Sequence, residues 1–343
     1  MDSGKPVGVV TVTFNSAGVI EDFMKSVLNQ VQVEFVLYVV DNASSDDTLK
    51  RLAEYSDARI VLIANEANVG VAEGNNIGIR AALKDGCDSV LLINNDTVFD
   101  SDLLAKLVAG LREHGCEMIV PKILLFDEPE TVWYGGGYFN MLRASGSHLG
   151  LGQKDVGQFD LAHAVSYGPT CCMLIKRGVF ERVGLMDSSY FLYFDDTDFC
   201  LRTHRAGVKL FYLPAARLRH KVSSLTGSTS SFALRYITRN HVYYLLKHYS
   251  WWQVFFYCLA LYIYLPGKYL LVLRRPRLFW AAQSAYWEGF SLFVSNLERA
   301  NGAVDRGSVT LSSDAKSGSG EVRAWLIDTP PADPARVSRP KQN

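Results

Sequence analysis

Three polar blocks in this chain hold the residue types from which a ligand site is built. The first, Val39-Val40-Asp41-Asn42-Ala43-Ser44-Ser45-Asp46, ends an apolar run with a carboxylate beside turn amides. Such a carboxylate can accept from a nucleobase imide or a ribose hydroxyl, and Asp41 is the candidate for that contact. The second, Leu91-Leu92-Ile93-Asn94-Asn95-Asp96-Thr97, delivers one carboxylate from the end of a buried strand. Magnesium is commonly held by one or two protein carboxylates, with phosphate oxygens and water completing the octahedron, so Asp96 suits a metal diphosphate. The same triplet also makes a good turn into a helix near Ser101. The third block runs from Tyr190 to Arg202 and sets Asp195, Asp196 and Asp198 behind five aromatic or apolar residues. Crowding and partial burial raise the proton affinity of at least one acid, which fits a general base near neutral pH. An acidic first turn steadied by the helix dipole is the plainer alternative.

The elements that must position these blocks read as an alternation of short β-branched runs and helical patterns. Strands are predicted at Val7–Phe14, Val33–Val40, Arg59–Ala64, Ser89–Ile93 and Met118–Val120, with helices near Ile20–Gln30, Asp46–Tyr55, Gly74–Lys84 and Ser101–Arg112. Ser44 and Asp47 have capping-box spacing, which leaves free amide donors at the second helix. The pattern predicts an α/β fold with a doubly wound, mostly parallel sheet. Ligands of such sheets sit outside the carboxyl ends of the strands. Those positions are Thr13-Phe14-Asn15, Asp41-Asn42, Asn65 to Gly70 and Asn94-Asn95-Asp96. Each alone is also an ordinary turn sequence; their joint placement on one rim argues for a site.

The stretch Lys122–Ala164, with Gly135-Gly136-Gly137 and Gly146 to Gly152, yields no clear elements. Periodicity resumes at Val165–Lys176. Ser189–Gly207 reads as a strand or loop entering a helix, and Val208–Leu213 as one more strand.

The 343 residues are 48% hydrophobic and 20% charged, so the chain as a whole is neither a disordered tail nor a disulfide-stapled miniprotein. Formal charge is zero, yet Met1 to Cys200 holds 15 basic and 28 acidic residues, while Leu201 to Trp287 holds 13 basic and no acidic ones. The second region is thus expected to meet something anionic. Six cysteines without CxxC or zinc spacing point to a reduced interior, and the start of the chain lacks the pattern of a signal peptide. Trp251–Leu273 is apolar and aromatic but broken by Gln253, Pro266, Gly267 and Lys268, and Arg274-Arg275-Pro276-Arg277 follows. A surface-lying or re-entrant membrane segment fits this better than a full crossing; a buried helical hairpin or a dimer interface is the alternative. The aromatic pattern continues through Phe279–Val294. The expected organisation is a catalytic domain over residues 1–225, a basic, aromatic membrane-associating helical region over 226–300 and a disordered tail over 301–343.

With these blocks in order, the chain resembles the family 2 glycosyltransferases, especially their rhamnosyltransferase-like bacterial members. The resemblance rests on Val10-Thr11-Val12-Thr13-Phe14-Asn15-Ser16, Val40-Asp41-Asn42-Ala43-Ser44, Asn68-Val69-Gly70-Val71-Ala72-Glu73-Gly74-Asn75-Asn76, Asn94-Asn95-Asp96 and Tyr193-Phe194-Asp195-Asp196-Thr197-Asp198. It covers roughly Val7 to Gly227. It implies a GT-A-type fold, a dTDP- or UDP-sugar donor, Mg²⁺ or Mn²⁺, and inversion at the anomeric carbon. By position it implies that Asp41 meets the base and that Thr13, Phe14, Asn15, Asn68 and Gly70 line the nucleoside pocket. Asn75, Asn95 and Asp195 are placed with the nucleotide-sugar, and Asp96 with the metal. His220 resembles a family histidine near the diphosphate and joins Asp96 as a metal candidate. Asp196 matches the second acid of the family's Glu-Asp pair, the catalytic base; Asp195 stands where the family has Glu. Gly168-Pro169-Thr170 departs from the usual Gly-Ala. Arg239, with Asn240, is a candidate to close over the phosphates from the basic region, or an ordinary solvated helix residue.

The expected function is nonprocessive transfer of one sugar, rhamnose foremost, to a lipid-linked or surface-glycan acceptor at the inner face of the membrane. The protein is expected to be cytoplasmic and peripherally bound there. No nucleic acid is expected as partner, and the sequence does not fix the oligomeric state. A nucleotide-sugar pyrophosphorylase would carry a basic Gly-rich loop after the first strand, and Asn15-Ser16-Ala17-Gly18 has no Lys or Arg. A dehydrogenase would carry GxGxxG, which is absent. A noncatalytic carbohydrate-binding protein would not need Asp96 and Asp196 together.

Overall fold

The computed structural model describes residues 5–140, 142–222, 231–260 and 276–307, with isolated positions 263, 267 and 270. Its first half is the predicted alternation: β1 (Val7–Thr13), α1 (Ile20–Leu28), β2 (Phe35–Asp41), α2 (Thr48–Ala53), β3 (Ile60–Ala64), α3 (Gly70–Lys84) and β4 (Ser89–Ile93). Strands β3, β2, β1 and β4 lie side by side and parallel. Both faces of β1 and β2 are covered, so these strands are nearly continuous apolar runs. The third helix starts four residues earlier than the sequence predicts. Its glycines are there for close approach: a Cβ on Gly74 would meet Val12 Cγ1 at 2.8 Å, and one on Gly78 would meet Val10 Cγ1 at 2.3 Å.

Beyond β4 the sheet is mixed. The elements are β5 (Thr97–Phe99), α4 (Leu103–Glu113), β6 (Met118–Leu125), β7 (Val132–Tyr134), β8 (Gly137–Asn140), β9 (Ser145–His148), β10 (His163–Val165), β11 (Cys172–Lys176), α5 (Arg177–Val183), α6 (Asp195–Arg205) and β12 (Leu210–His220). Among the described residues the main sheet runs β10-β12-β6-β11-β4-β1-β2-β3, with β5 paired to β12 and β7 to β6. Strand β11 is antiparallel to both β4 and β6. The glycine-rich stretch without clear elements holds β7 and the β8–β9 hairpin, which pairs Gly137 with His148 and Phe139 with Gly146.

Three helices complete the chain: α7 (Ser231–His248), α8 (Trp251–Leu259) and α9 (Pro276–Gly307). Tyr243 and Tyr244 of α7 belong to the main core, and Leu292 and Phe293 of α9 pack against it. The helical region is therefore fastened to the α/β part. No helix among the described residues is long and apolar enough to cross a membrane. Asn301–Gly307 continues α9; the remainder of the tail, 308–343, the stretch 223–230 and most of the apolar stretch after residue 260 lie outside the described residues.

Candidate functional site

The carboxyl ends of β1, β2 and β4 open into a cavity of about 1440 Å³. Phe14, Asn15, Asn68, Gly70, Asn75, Asn95, Asp96, Asp195, Asp196 and His220 all line it. Loops from four elements are stitched to form its rim. Asn42 Nδ2 donates to the Gly70 carbonyl at 3.0 Å, Asn65 Nδ2 donates to Asn42 Oδ1 at 2.8 Å, and Asn68 Oδ1 accepts from the Gly70 amide at 2.9 Å. Gly70 sits at φ +84°, and a Cβ there would lie 2.6 Å from the Phe191 carbonyl oxygen. That carbonyl accepts from the Val71 amide at 2.8 Å, so the start of α3 pins the third acidic block in place. Asn95 holds the end of β1, its Nδ2 donating to the Val12 carbonyl at 2.7 Å and to Ser16 Oγ at 3.0 Å.

Three expected contacts lie elsewhere. Asp41 and Thr13 are fully buried behind the cavity wall. The Asp41 carboxylate accepts from Thr13 Oγ1 at 2.8 Å, Ser44 N at 2.9 Å and Ser44 Oγ at 2.6 Å. The turn amide that the sequence left for a ligand is consumed by Asp41, and the Ser44–Asp47 capping box does not form; Asp46 Oδ1 accepts from the Thr48 amide instead. Arg239 is the third. Its guanidinium lies over the Tyr236 ring, 4.8 Å from the centroid, and donates to the Ser189 carbonyl at 2.9 Å and to Asn240 Oδ1 at 2.7 Å. Asn240 is likewise occupied: its Nδ2 donates to the Leu192 and Tyr193 carbonyls at 2.7 and 2.8 Å. These bonds hold Tyr193 and Phe194 at φ +67° and +68°. Left-handed backbone at such bulky residues costs about 1–2 kcal/mol each, and it turns the chain sharply into α6 so that the acids face the cavity.

The register of β12 against β5 pairs His220 with Thr97, which sets His220 beside Asp96. His220 Nε2 lies 3.1 Å from Asp96 Oδ1, and the imidazole meets the Trp133 ring edge-on at 4.7 Å. Burial disfavours the charged imidazole, but the Cys171 sulfur and the Asp96 carboxylate against it push it up to about 10, so a divalent cation bound at this corner has to displace the His220 proton.

The three acids of α6 divide sharply. Asp195 is buried, its Oδ2 has no hydrogen-bond partner, and burial together with the Asp196 charge pushes its carboxyl up to about 8. Near neutral pH it keeps its proton. Asp196 accepts from Tyr167 Oη at 2.7 Å on Oδ2 and from Thr197 N at 2.6 Å and Oγ1 at 3.1 Å on Oδ1. Asp198 points away, to Arg202 Nε at 2.7 Å, Lys247 Nζ at 2.8 Å and His248 Nε2 at 2.7 Å. Burial would raise it, but the His248 hydrogen bond and the Lys247 and Arg202 charges hold it far below the carboxylate range. Asp198 thus ties α6 to α7.

Sequence reasoning missed Tyr167, Trp133, His148 and His241, which also line the cavity. Each is a lone aromatic or histidine, so no motif marks it. Among the described residues there is no cluster of three or more His, Cys, Asp or Glu that would cage a metal by itself. Asp96 and His220 do supply two adjacent donors, a set that suits a divalent cation whose other ligands are diphosphate and water oxygens.

Comparison with known proteins agrees with this architecture. The N-acetylglucosaminyl-diphospho-decaprenol L-rhamnosyltransferase of Mycobacterium tuberculosis is 23% identical over 265 residues, which is 71% of this chain and 86% of that protein. The low-salt glycan biosynthesis hexosyltransferase Agl10 of Haloferax volcanii is 26% identical over 60% of this chain, and the dTDP-rhamnosyl transferase RfbF of Shigella flexneri 25% over 54%. The matches span 63% and 59% of those two relatives, just under two thirds of their lengths. Among solved structures, GalNAc-T7 with UDP, GalNAc and Mn²⁺ superposes with a TM-score of 0.58 at 16% identity, covering 90% of this chain and 58% of that one. The mannosyltransferase PcManGT of Pyrobaculum calidifontis, in complex with GDP-Man and Mn²⁺, does so with 0.51 at 15% identity, covering 90% and 80%. The fold is therefore of the GT-A type. Residues 8–184, more than half of the chain, match the profile described as Glycosyl transferase family 2, and the chain belongs to that family.

Proposed function

We propose that the protein is an inverting, nonprocessive glycosyltransferase that moves one sugar, rhamnose foremost, from a dTDP- or UDP-sugar to a lipid-linked or surface-glycan acceptor. The observation that carries this reading is the convergence of Asp96 with His220, and of Asp195 with Asp196, on one cavity at the carboxyl ends of the parallel strands. Rhamnose and a lipid-linked acceptor are favoured by the relatives above. The acceptor end fits: Phe232 and Ile237 of α7, with Tyr257 of α8, give the cavity an apolar wall.

In this reading the nucleoside lies along Phe14, Asn15 and Asn68, and the diphosphate meets Asp96 and His220. Asp96 and His220 would hold a Mg²⁺ or Mn²⁺ ion there, which would supply positive charge to the departing diphosphate. Asp196 takes the proton of the acceptor hydroxyl, the acceptor oxygen bonds to the anomeric carbon from the opposite face, and the carbon–oxygen bond to the diphosphate breaks with its electron pair. Asp195, protonated, keeps the acidic pair to a single charge, which leaves Asp196 as the one carboxylate facing the acceptor. No residue forms a covalent intermediate, and the single displacement inverts the centre.

The test is a panel of nucleotide-sugars with Mg²⁺ or Mn²⁺, scored for donor turnover with an undecaprenyl-diphosphate-linked acceptor. One dTDP- or UDP-sugar turned over by the wild type, and a loss of about 10²-fold or more in Asp196→Asn, is the expected result. Turnover unaffected by Asp196→Asn removes Asp196 from the base role, and no turnover with any sugar overturns the activity.

A further inference from the structure

Tyr167 lies between β10 and β11, where no sequence motif marks it, yet it makes a side-chain hydrogen bond to Asp196 from outside α6. Its hydroxyl donates to Asp196 Oδ2 at 2.7 Å. A carboxylate offers about four lone-pair sites. Tyr167 takes one, and Thr197 takes two through its amide and hydroxyl. One remains for an incoming hydroxyl.

The surroundings of Tyr167 are shaped to fix its ring. The β8–β9 hairpin lies flat on it: a Cβ on Gly146 would meet three ring carbons at 2.4–2.5 Å, and one on Gly137 would meet the Tyr167 carbonyl oxygen at 2.6 Å. The Tyr134 hydroxyl donates to that carbonyl at 2.7 Å. His148 stacks on the ring at 5.8 Å, and Phe139 meets it at 6.1 Å. Only 5% of Tyr167 is exposed. Burial and the Asp196 charge push the phenol well above its ordinary value, so it remains a donor. The glycines at 137 and 146 give the phenol room and a fixed place.

We propose that Tyr167 is the positioning residue of the catalytic base: its hydroxyl fixes the Asp196 carboxylate so that the unshared lone pair faces the acceptor hydroxyl, and the glycine-bearing β8–β9 hairpin holds that phenol in register. The proposal rests on the base assignment made above and adds to it the device that aims the base. A misaimed base loses rate while donor binding, assigned above to Phe14, Asn15 and Asn68, is untouched.

The experiment compares wild type, Tyr167→Phe, Gly146→Ala, the double variant and Asp196→Asn, with kcat, donor KM and thermal midpoint measured for each. Expected is a fall in kcat of about 10- to 100-fold in Tyr167→Phe at a donor KM within about twofold of wild type. Gly146→Ala, which pushes on the ring, should lower kcat as well. The double variant should be no slower than the slower single one, because a displaced ring without a hydroxyl has nothing further to lose. A kcat within twofold of wild type in Tyr167→Phe overturns the proposal, as does a multiplicative loss in the double variant or a donor KM that rises as kcat falls. If those results come with an inactive Asp196→Asn, the base assignment stands and only the role of Tyr167 is lost. An active Asp196→Asn sinks both.

Discussion

His220 Nε2 stands 3.1 Å from Asp96 Oδ1 because the antiparallel pairing of β12 with β5 puts His220 opposite Thr97. The Lys221 amide donates to the Asp96 carbonyl at 2.8 Å and locks that register. Two donors from distant parts of the chain thus share one corner of the cavity, fixed by backbone pairing and not by flexible loops. Asp96→Asn removes the carboxylate charge, and His220→Ala removes the neighbouring nitrogen. Both are expected to lower kcat by about 10²- to 10³-fold and to weaken Mn²⁺ binding followed by electron paramagnetic resonance. Wild-type Mn²⁺ affinity in both variants would remove this corner from the metal's surroundings.

Asp195 makes stability depend on pH in an unusual direction. Its carboxyl is pushed up from 3.8 to about 8 by burial and by Asp196. In the unfolded chain it ionises near its ordinary value. Between those two limits the folded protein holds one more proton, so this group's contribution falls as pH rises, by at most about 1.4 kcal/mol per pH unit. Asp195→Asn should therefore melt close to wild type near pH 4 and progressively above it toward pH 8. A gap that stays constant over that range would show that Asp195 is not held protonated.

Asp198 has the opposite sign. Its carboxylate is fully buried against Arg202, Lys247 and His248, and its folded value lies far below 3.8. The stabilisation is present above the ordinary carboxylate range and is lost as pH falls below it. Asp198→Asn leaves the Arg202 and Lys247 cations facing a neutral amide in a buried setting, a change that costs about 3–5 kcal/mol. The denaturation midpoint should fall accordingly at pH 7, with the deficit narrowing below about pH 4. A midpoint within a degree of wild type at pH 7 would make the α6–α7 tie unimportant.

The parallel half of the sheet was legible because β-branched runs and helical periods alternate cleanly there, and β4 matches its predicted bounds. The rim was legible for the same reason: strand ends fix where ligands sit. A carboxylate at a strand end looks the same in sequence whether a ligand or its own turn satisfies it, so the bonds that Thr13 and Ser44 donate to Asp41 were not legible. The antiparallel insertion of β11 left no trace, since a buried strand has one pattern in either direction. Trp133 and His148 were invisible because β7, β8 and β9 are three or four residues each, too short for alternation to show, and Tyr167 because it is a lone aromatic between β10 and β11 with no motif to mark it. Gly70 concealed the start of α3, because a glycine at φ +84° reads as a break until Phe191 is seen against it.

The C-terminal helices carry an apolar surface that a freely dissolved protein seldom shows. Trp251 is 83% exposed, Phe256 64% and Trp280 69%, with Phe255 and Trp287 also open. The chain from Leu201 to Trp287 is basic throughout. Exposed aromatics beside positive charge suit the headgroup boundary of an anionic membrane, where rings insert and Lys and Arg meet phosphates. Such a surface would also bring the cavity, whose apolar wall includes Tyr257 of α8, next to a lipid-linked acceptor. The variant Trp251→Ser/Phe255→Ser/Phe256→Ser removes three rings from the exposed face of α8. Each inserted side chain contributes about 1.5–3 kcal/mol, so vesicle affinity should fall by about 10²-fold or more, with the thermal midpoint little changed. Vesicles of phosphatidylcholine with phosphatidylglycerol are the probe, and added salt should weaken wild-type binding. If the triple variant binds these vesicles as wild type does, the face is not a membrane surface. If it instead shifts the protein from dimer to monomer in sedimentation, the rings are covered by a second copy of the chain.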